Sequence, residues 1–95
     1  IIPGYGVYAV VVTVRNQDYW GMLNIGSRPT VNHNADHRTV EVNLFDFDND
    51  IYGESIKVVF YHKLRDEQKF ASLDALKAQL AQDKVHVLEY FKKSI

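Results

Sequence analysis

The spacing of hydrophobic and polar positions changes once along this chain. Residues 6–14, GVYAVVVTV, are dense in Val and Tyr and predict a strand largely buried on both faces. A polar turn, RNQD at 15–18, separates it from YWGMLNIG at 19–26, which predicts a second strand and a hairpin. No glycine pins that turn, so its type stays open. In HRTVEVNLFDF, Val40, Val42 and Leu44 fall on one face and Thr39, Glu41 and Asn43 on the other, predicting a strand over 38–47. A fourth strand is predicted over 54–64, with Ile56, Val58, Phe60, His62 and Leu64 alternating against Lys57, Val59, Tyr61 and Lys63. From Ser72 the period lengthens. Leu73, Leu76, Leu80, Val87 and Phe91 make one helical stripe, interrupted by Asp83. Ser72 suits an N-cap, Asp74 suits the first turn and Lys92 and Lys93 suit the last, so a helix over 72–91 is predicted.

The joints between these elements differ in character. SRPTVNHNADH, 27–37, is polar and aperiodic and predicts a loop long for so small a chain. DNDIYG, 48–53, predicts a turn, and RDEQKFA, 65–71, is a charged connector with a single aromatic. With no repeat and no linker, residues 1–95 read as one domain of four antiparallel strands followed by one helix, an α+β or small-barrel arrangement.

Composition narrows the class. Ninety-five residues at 46% hydrophobic can bury one modest core, and a formal net charge of −1 gives no bulk field for nucleic acid or anionic lipid. The absence of cysteine excludes disulfides and thiolate metal sites and fits a cytosolic protein. No apolar run is long enough to span a membrane, and IIPGYG does not have the form of a signal peptide. The abrupt start suggests a chain cut from something longer.

Few positions invite chemistry. Glu41 lies mid-strand with Phe45 and Phe47 ahead of it. It is either a solvated strand glutamate or a general base held on a rigid element beside a substrate surface. His33, Asp36 and His37 match no metal-ligand spacing and read as solvated loop, and His62 reads as a core or edge residue rather than a ligand. DFDND lacks the full calcium-loop series and reads as an exposed turn. Arg65, Glu67, Gln68 and Phe70 crowd the connector. Either they satisfy caps and surface charge, or Phe70 stacks on a planar ligand while Arg65 and Gln68 hydrogen-bond its heteroatoms.

Three stretches taken together carry a resemblance: GVYAV; NIGSRPT; and EVNLFDFDNDIYG running into KLRDEQKFASLDALKAQLAQD. In order and spacing they resemble the riboflavin kinase domain at the C-terminus of bacterial bifunctional riboflavin kinase/FAD synthetases, over nearly the whole chain. The resemblance implies a mainly β fold, an antiparallel Greek-key barrel with one C-terminal helix. It implies transfer of the ATP γ-phosphate to the terminal ribityl hydroxyl of riboflavin, giving FMN, with Mg²⁺ and ATP as the phosphoryl source. It assigns Glu41 as catalytic base, Arg65, Gln68 and Phe70 to the flavin, and Leu44, Asp46 and Tyr52 to the nucleotide. It also implies an N-terminal adenylyltransferase domain in a bacterial, cytoplasmic parent.

One departure stands out. The G-F-P-T-A-N segment in which that family holds Mg²⁺ and the ATP phosphates does not occur, and RPT at 28–30 belongs to a different loop. The chain is therefore expected to be an N-terminally truncated piece of the domain, inactive alone. It is also expected to self-associate through an open barrel edge along Val7–Val14. The rival reading is a non-catalytic small-barrel module that binds a flavin or a protein partner.

Overall fold

The computed structural model describes residues 4–29, 36–47, 53 and 55–93. Its elements are β1 (Gly6–Val14), β2 (Gln17–Pro29), β3 (Asp36–Leu44), β4 (Ile56–Arg65) and α1 (Leu73–Lys93). All pairings are antiparallel and the sheet order is β3-β2-β1-β4. Three consecutive strands with the fourth returned beside the first is the Greek-key arrangement. The mainly β class with a C-terminal helix is thus the observed one. Among the described residues β3 and β4 are the two edges and do not pair, so these four strands alone do not close a barrel.

The expected open edge along Val7–Val14 is not observed. β1 is central, paired with β2 on one side and β4 on the other, which is why Val7, Ala9, Val10, Val12 and Val14 are almost wholly buried. Its density of β-branched residues is that of a strand covered on both faces. The hairpin to β2 is a two-residue turn in which Arg15 and Asn16 both take positive φ, 51° and 66°. That is the backbone of a type I′ turn, whose twist matches the flanking strands. β2 consequently starts at Gln17 rather than Tyr19.

At its far end β2 runs on to Pro29, which pairs with Asp36 at the start of β3, so much of the predicted 27–37 loop is ladder. His33 lies outside the described residues. β3 stops at Leu44 rather than Phe47: Phe45 donates its N–H to the Trp20 carbonyl at 2.9 Å, and Asp46 then turns away with φ 57°.

Each face of the sheet has its own apolar cluster. The stripe of α1 packs Val87 and Phe91 on Val7, Ala9, Met22 and Phe45, with Trp20, Leu64 and Leu80 around them. Trp20 stacks on Phe91, centroids 5.1 Å apart. The other face gathers Tyr8, Val10, Val12, Val14, Leu23 and Ile25, flanked by Val42, Leu44 and Phe47. Ser72 caps the helix, accepting the Ala75 N–H at 3.1 Å. Among the described residues no helix is long and apolar enough to cross a membrane.

Candidate functional site

The strict alternation expected of β4 is broken twice. Val10 pairs with Phe60 but Ala9 with His62, and Tyr8 pairs with Lys63 but Val7 with Arg65. Tyr61 and Leu64 are therefore extra residues, and each reverses the faces of the strand residues beyond it, as β-bulges do. His62, expected beside Phe60, is exposed on the helix side and stacks on Tyr90, centroids 4.8 Å apart. Lys63 crosses to Tyr8. The second reversal brings Arg65 onto the helix side at the mouth of the connector.

There Arg65 meets the interruption in the helix stripe. Its Nε donates to both Asp83 carboxylate oxygens at 3.0 and 3.2 Å, and its Nη2 donates to one at 2.7 Å. Gln79 adds a donor to Asp83 at 3.0 Å. Burial pushes the Asp83 carboxyl up, but hydrogen bonds from Arg65 and Gln79 and the Arg65 charge outweigh it and hold the group below the ordinary range. Arg65 also donates from Nη1 to the Asp66 carbonyl at 3.2 Å, and its Cζ lies 5.9 Å from the Phe70 ring centre.

A second tie fixes the connector to the end of β2. Glu67 accepts the Ser27 N–H at 2.7 Å and the Ser27 hydroxyl at 3.2 Å. Lys69 closes the loop, donating to the Ser27 carbonyl at 2.9 Å and to Glu67 at 3.2 Å. The Ser27 N–H lowers the Glu67 carboxyl below its usual range, working against a partial burial that raises it. Gly26 eases this approach: a β-carbon there would lie 3.1 Å from Glu67 Oε2, a tight contact that the Glu67 side chain would have to relieve.

The two ties frame a cleft of about 570 Å³ between the ends of β2 and β3, the connector and the first turn of α1. Glu41 of β3 and Arg65, Gln68 and Phe70 of the connector all line it. Glu41 reaches it because the helix side of β3 is its side; Asn24, its partner in the ladder, lines the cleft beside it. Exposed Glu41 and Gln68 supply polar groups and half-buried Phe70 an aromatic face. A volume in this range is that of a small-molecule site.

Other expectations fare differently. Phe45 and Phe47 do not form a surface beside Glu41: Phe45 is buried under α1, and Phe47 packs edge-on to Tyr19 on the opposite face. Leu44 shares that opposite face with Val42, and Asp46 lines a shallow depression with Asp18, Tyr19, Trp20 and Phe45. Neither lines the cleft that holds Glu41, and Tyr52 lies outside the described residues. Sequence reasoning does not find the role of Asp83 or the Ser27–Glu67–Lys69 tie. A carboxylate on an otherwise apolar stripe is the available signal for the first; the second has none, because Ser27 and Glu67 are 40 residues apart.

The family model described as Flavokinase, riboflavin kinase, matches residues 1–91. A bifunctional riboflavin kinase/FMN adenylyltransferase from Bacillus subtilis is 40% identical over 92 residues, covering 96% of this chain and 29% of that protein. Its counterpart from Escherichia coli K12 is 46% identical over 92 residues, with the same shares of 96% and 29%. The chain thus spans under a third of these relatives. A crystal structure described as a macrolide-efflux protein from Streptococcus pneumoniae superposes with a TM-score of 0.77 at 39% identity, covering 88% of this chain and 27% of that one. With the match running through every described strand and the helix, this chain belongs to the riboflavin kinase family.

Proposed function

We propose that the chain is the riboflavin kinase part of a longer protein that also carries an adenylyltransferase domain, working in the bacterial cytoplasm. The reaction is transfer of the ATP γ-phosphate to the terminal ribityl hydroxyl of riboflavin. The observation that carries this is the convergence of Glu41, Gln68 and Phe70 on one cleft.

In this reading the isoalloxazine ring lies against Phe70, and Gln68 hydrogen-bonds its heteroatoms while Arg65 backs the ring's edge. The ribityl chain runs toward β3, so its terminal hydroxyl meets Glu41. Phosphoryl transfer asks the protein chiefly for alignment and for an acceptor for the hydroxyl proton. Glu41, a carboxylate on a paired strand and open to the cleft, is that acceptor. Asn24 stands across the ladder where it can hold the same hydroxyl or the carboxylate. Leu44, the last residue of β3, and Asp46 and Tyr52, which follow it in the sequence, are retained as the nucleotide side. Among the described residues no group of three or more His, Asp or Glu side chains could hold a metal ion. Mg²⁺ would enter with ATP in the full-length protein, held largely by the nucleotide phosphates.

The full-length protein, incubated with Mg-ATP and riboflavin and analysed by chromatography, is expected to give FMN. Riboflavin bound but never phosphorylated would favour the binding-module alternative.

A further inference from the structure

Asp83 is 1% exposed on the face of α1 that packs on the sheet, with Leu80 before it and Val87 after it. An apolar residue would continue that stripe, and a buried ion pair is a poor device for stability alone, since apolar replacements often serve as well or better. What the carboxylate does instead is select one orientation of Arg65. Nε and Nη2 point at Asp83, at 2.7 to 3.2 Å, which leaves Nη1 directed at the Asp66 carbonyl and the guanidinium near the Phe70 ring. A planar fork fixed on one edge has its other edge fixed too. The helix, the end of β4, the connector backbone and the aromatic wall of the cleft are thereby joined through one side chain.

We propose that Asp83 is a positioning residue for the flavin: acting through Arg65, it sets the path of residues 65–70 and so the placement of Phe70 and Gln68 in the cleft. Gln79, donating to Asp83 from one turn earlier, keeps the carboxylate aimed. The proposal rests on the reading of the cleft as the flavin site. Asp83 itself does not line that cleft.

The test uses Asp83→Asn in the full-length protein; the carboxamide keeps an acceptor oxygen for Arg65 but loses the charge and one lone-pair set. Riboflavin Kd by fluorescence titration and riboflavin KM are expected to rise together by about tenfold, with kcat and the KM for ATP within about twofold. A purely structural role would lower the folded fraction instead, reducing kcat and leaving KM unmoved. That pattern, or no change at all, overturns the proposal. The double variant Arg65→Met with Asp83→Leu replaces the pair by apolar side chains of similar size. It is expected to keep a thermal midpoint near wild type while binding riboflavin as weakly as Asp83→Asn. Wild-type affinity in that variant overturns the proposal. Failure of the wild-type protein to bind riboflavin refutes the cleft reading itself, and the positioning role with it.

Discussion

Gly6 and Arg65 meet where β1 begins and the connector leaves β4. A β-carbon on Gly6 would stand 2.5 Å from the Arg65 carbonyl oxygen and 2.7 Å from Lys63 Cε, and Gly6 itself has φ 151°. The backbone of β4 can cross so close only because no side chain intervenes. Gly6→Ala is therefore expected to cost more than about 1 kcal/mol, since neither the φ nor the space suits a β-carbon. Because the displaced atom is the carbonyl that leads into the connector, riboflavin affinity should fall as well. Urea unfolding and a flavin titration on the same variant check both; an unchanged unfolding midpoint would show that β4 shifts without penalty.

Glu41 shares its face of β3 with the cleft and lies opposite Asn24 in register. If it accepts the ribityl proton, Glu41→Gln in the full-length protein should lower turnover by roughly 10²–10⁴ with little change in riboflavin affinity, because the amide keeps the shape and loses the basicity. Steady-state kinetics with a parallel binding titration decide it. Full turnover in Glu41→Gln would leave Glu41 as a solvated strand residue.

The strands and the helix are legible in the sequence because each has a clean period: β1 as a β-branched run, β3 by alternation, α1 by a stripe with a serine cap. β4 is not fully legible. Its residues alternate as though the strand were regular, and the bulges at Tyr61 and Leu64 are defined by its register against β1, which the residues of β4 alone do not show. The central place of β1 is hidden for a related reason. A run of valines says that both faces are covered and says nothing about which strands lie on either side. At the site, Glu41 and the connector are visible as types of residue, and the chain's resemblance to a family supplies the roles proposed for them. The connector is held against the end of β2 by Ser27 and Glu67, whose tie across 40 residues no local pattern signals.

Phe70 offers the cleft its aromatic face, half-buried and backed by the Arg65 guanidinium. Phe70→Ala should weaken riboflavin binding by about 1–3 kcal/mol through lost burial and stacking. Because the Arg65–Asp83 pair does not depend on the ring, the thermal midpoint should move little. Fluorescence titration of the full-length variant tests this, and equal affinities for variant and wild type would place the ring system elsewhere.

The charge on Asp83 also makes a prediction about acid. Burial raises this carboxyl, but the Arg65 and Gln79 hydrogen bonds, with the charges of Arg65 and His86, leave it below the ordinary aspartate value of 3.8. Folding therefore favours the deprotonated form. The stabilisation is fully present above 3.8 and is lost as the pH falls through the lower folded value. Arg65 faces Asp83 from β4, and Gln79 and His86 face it from α1 itself. Glu67, lowered by the Ser27 N–H, titrates in the same direction, so wild type alone cannot assign the loss. The comparison with Asp83→Asn can. Above about pH 5 the two proteins should differ in unfolding free energy by a constant amount, and below it the gap should close as wild type loses the contribution the variant never had. Denaturant unfolding of both proteins over about pH 2 to 7 measures that gap. A gap that widens on acidification would mean that Asp83 is held protonated in the fold, and that Arg65 is oriented by something other than its charge.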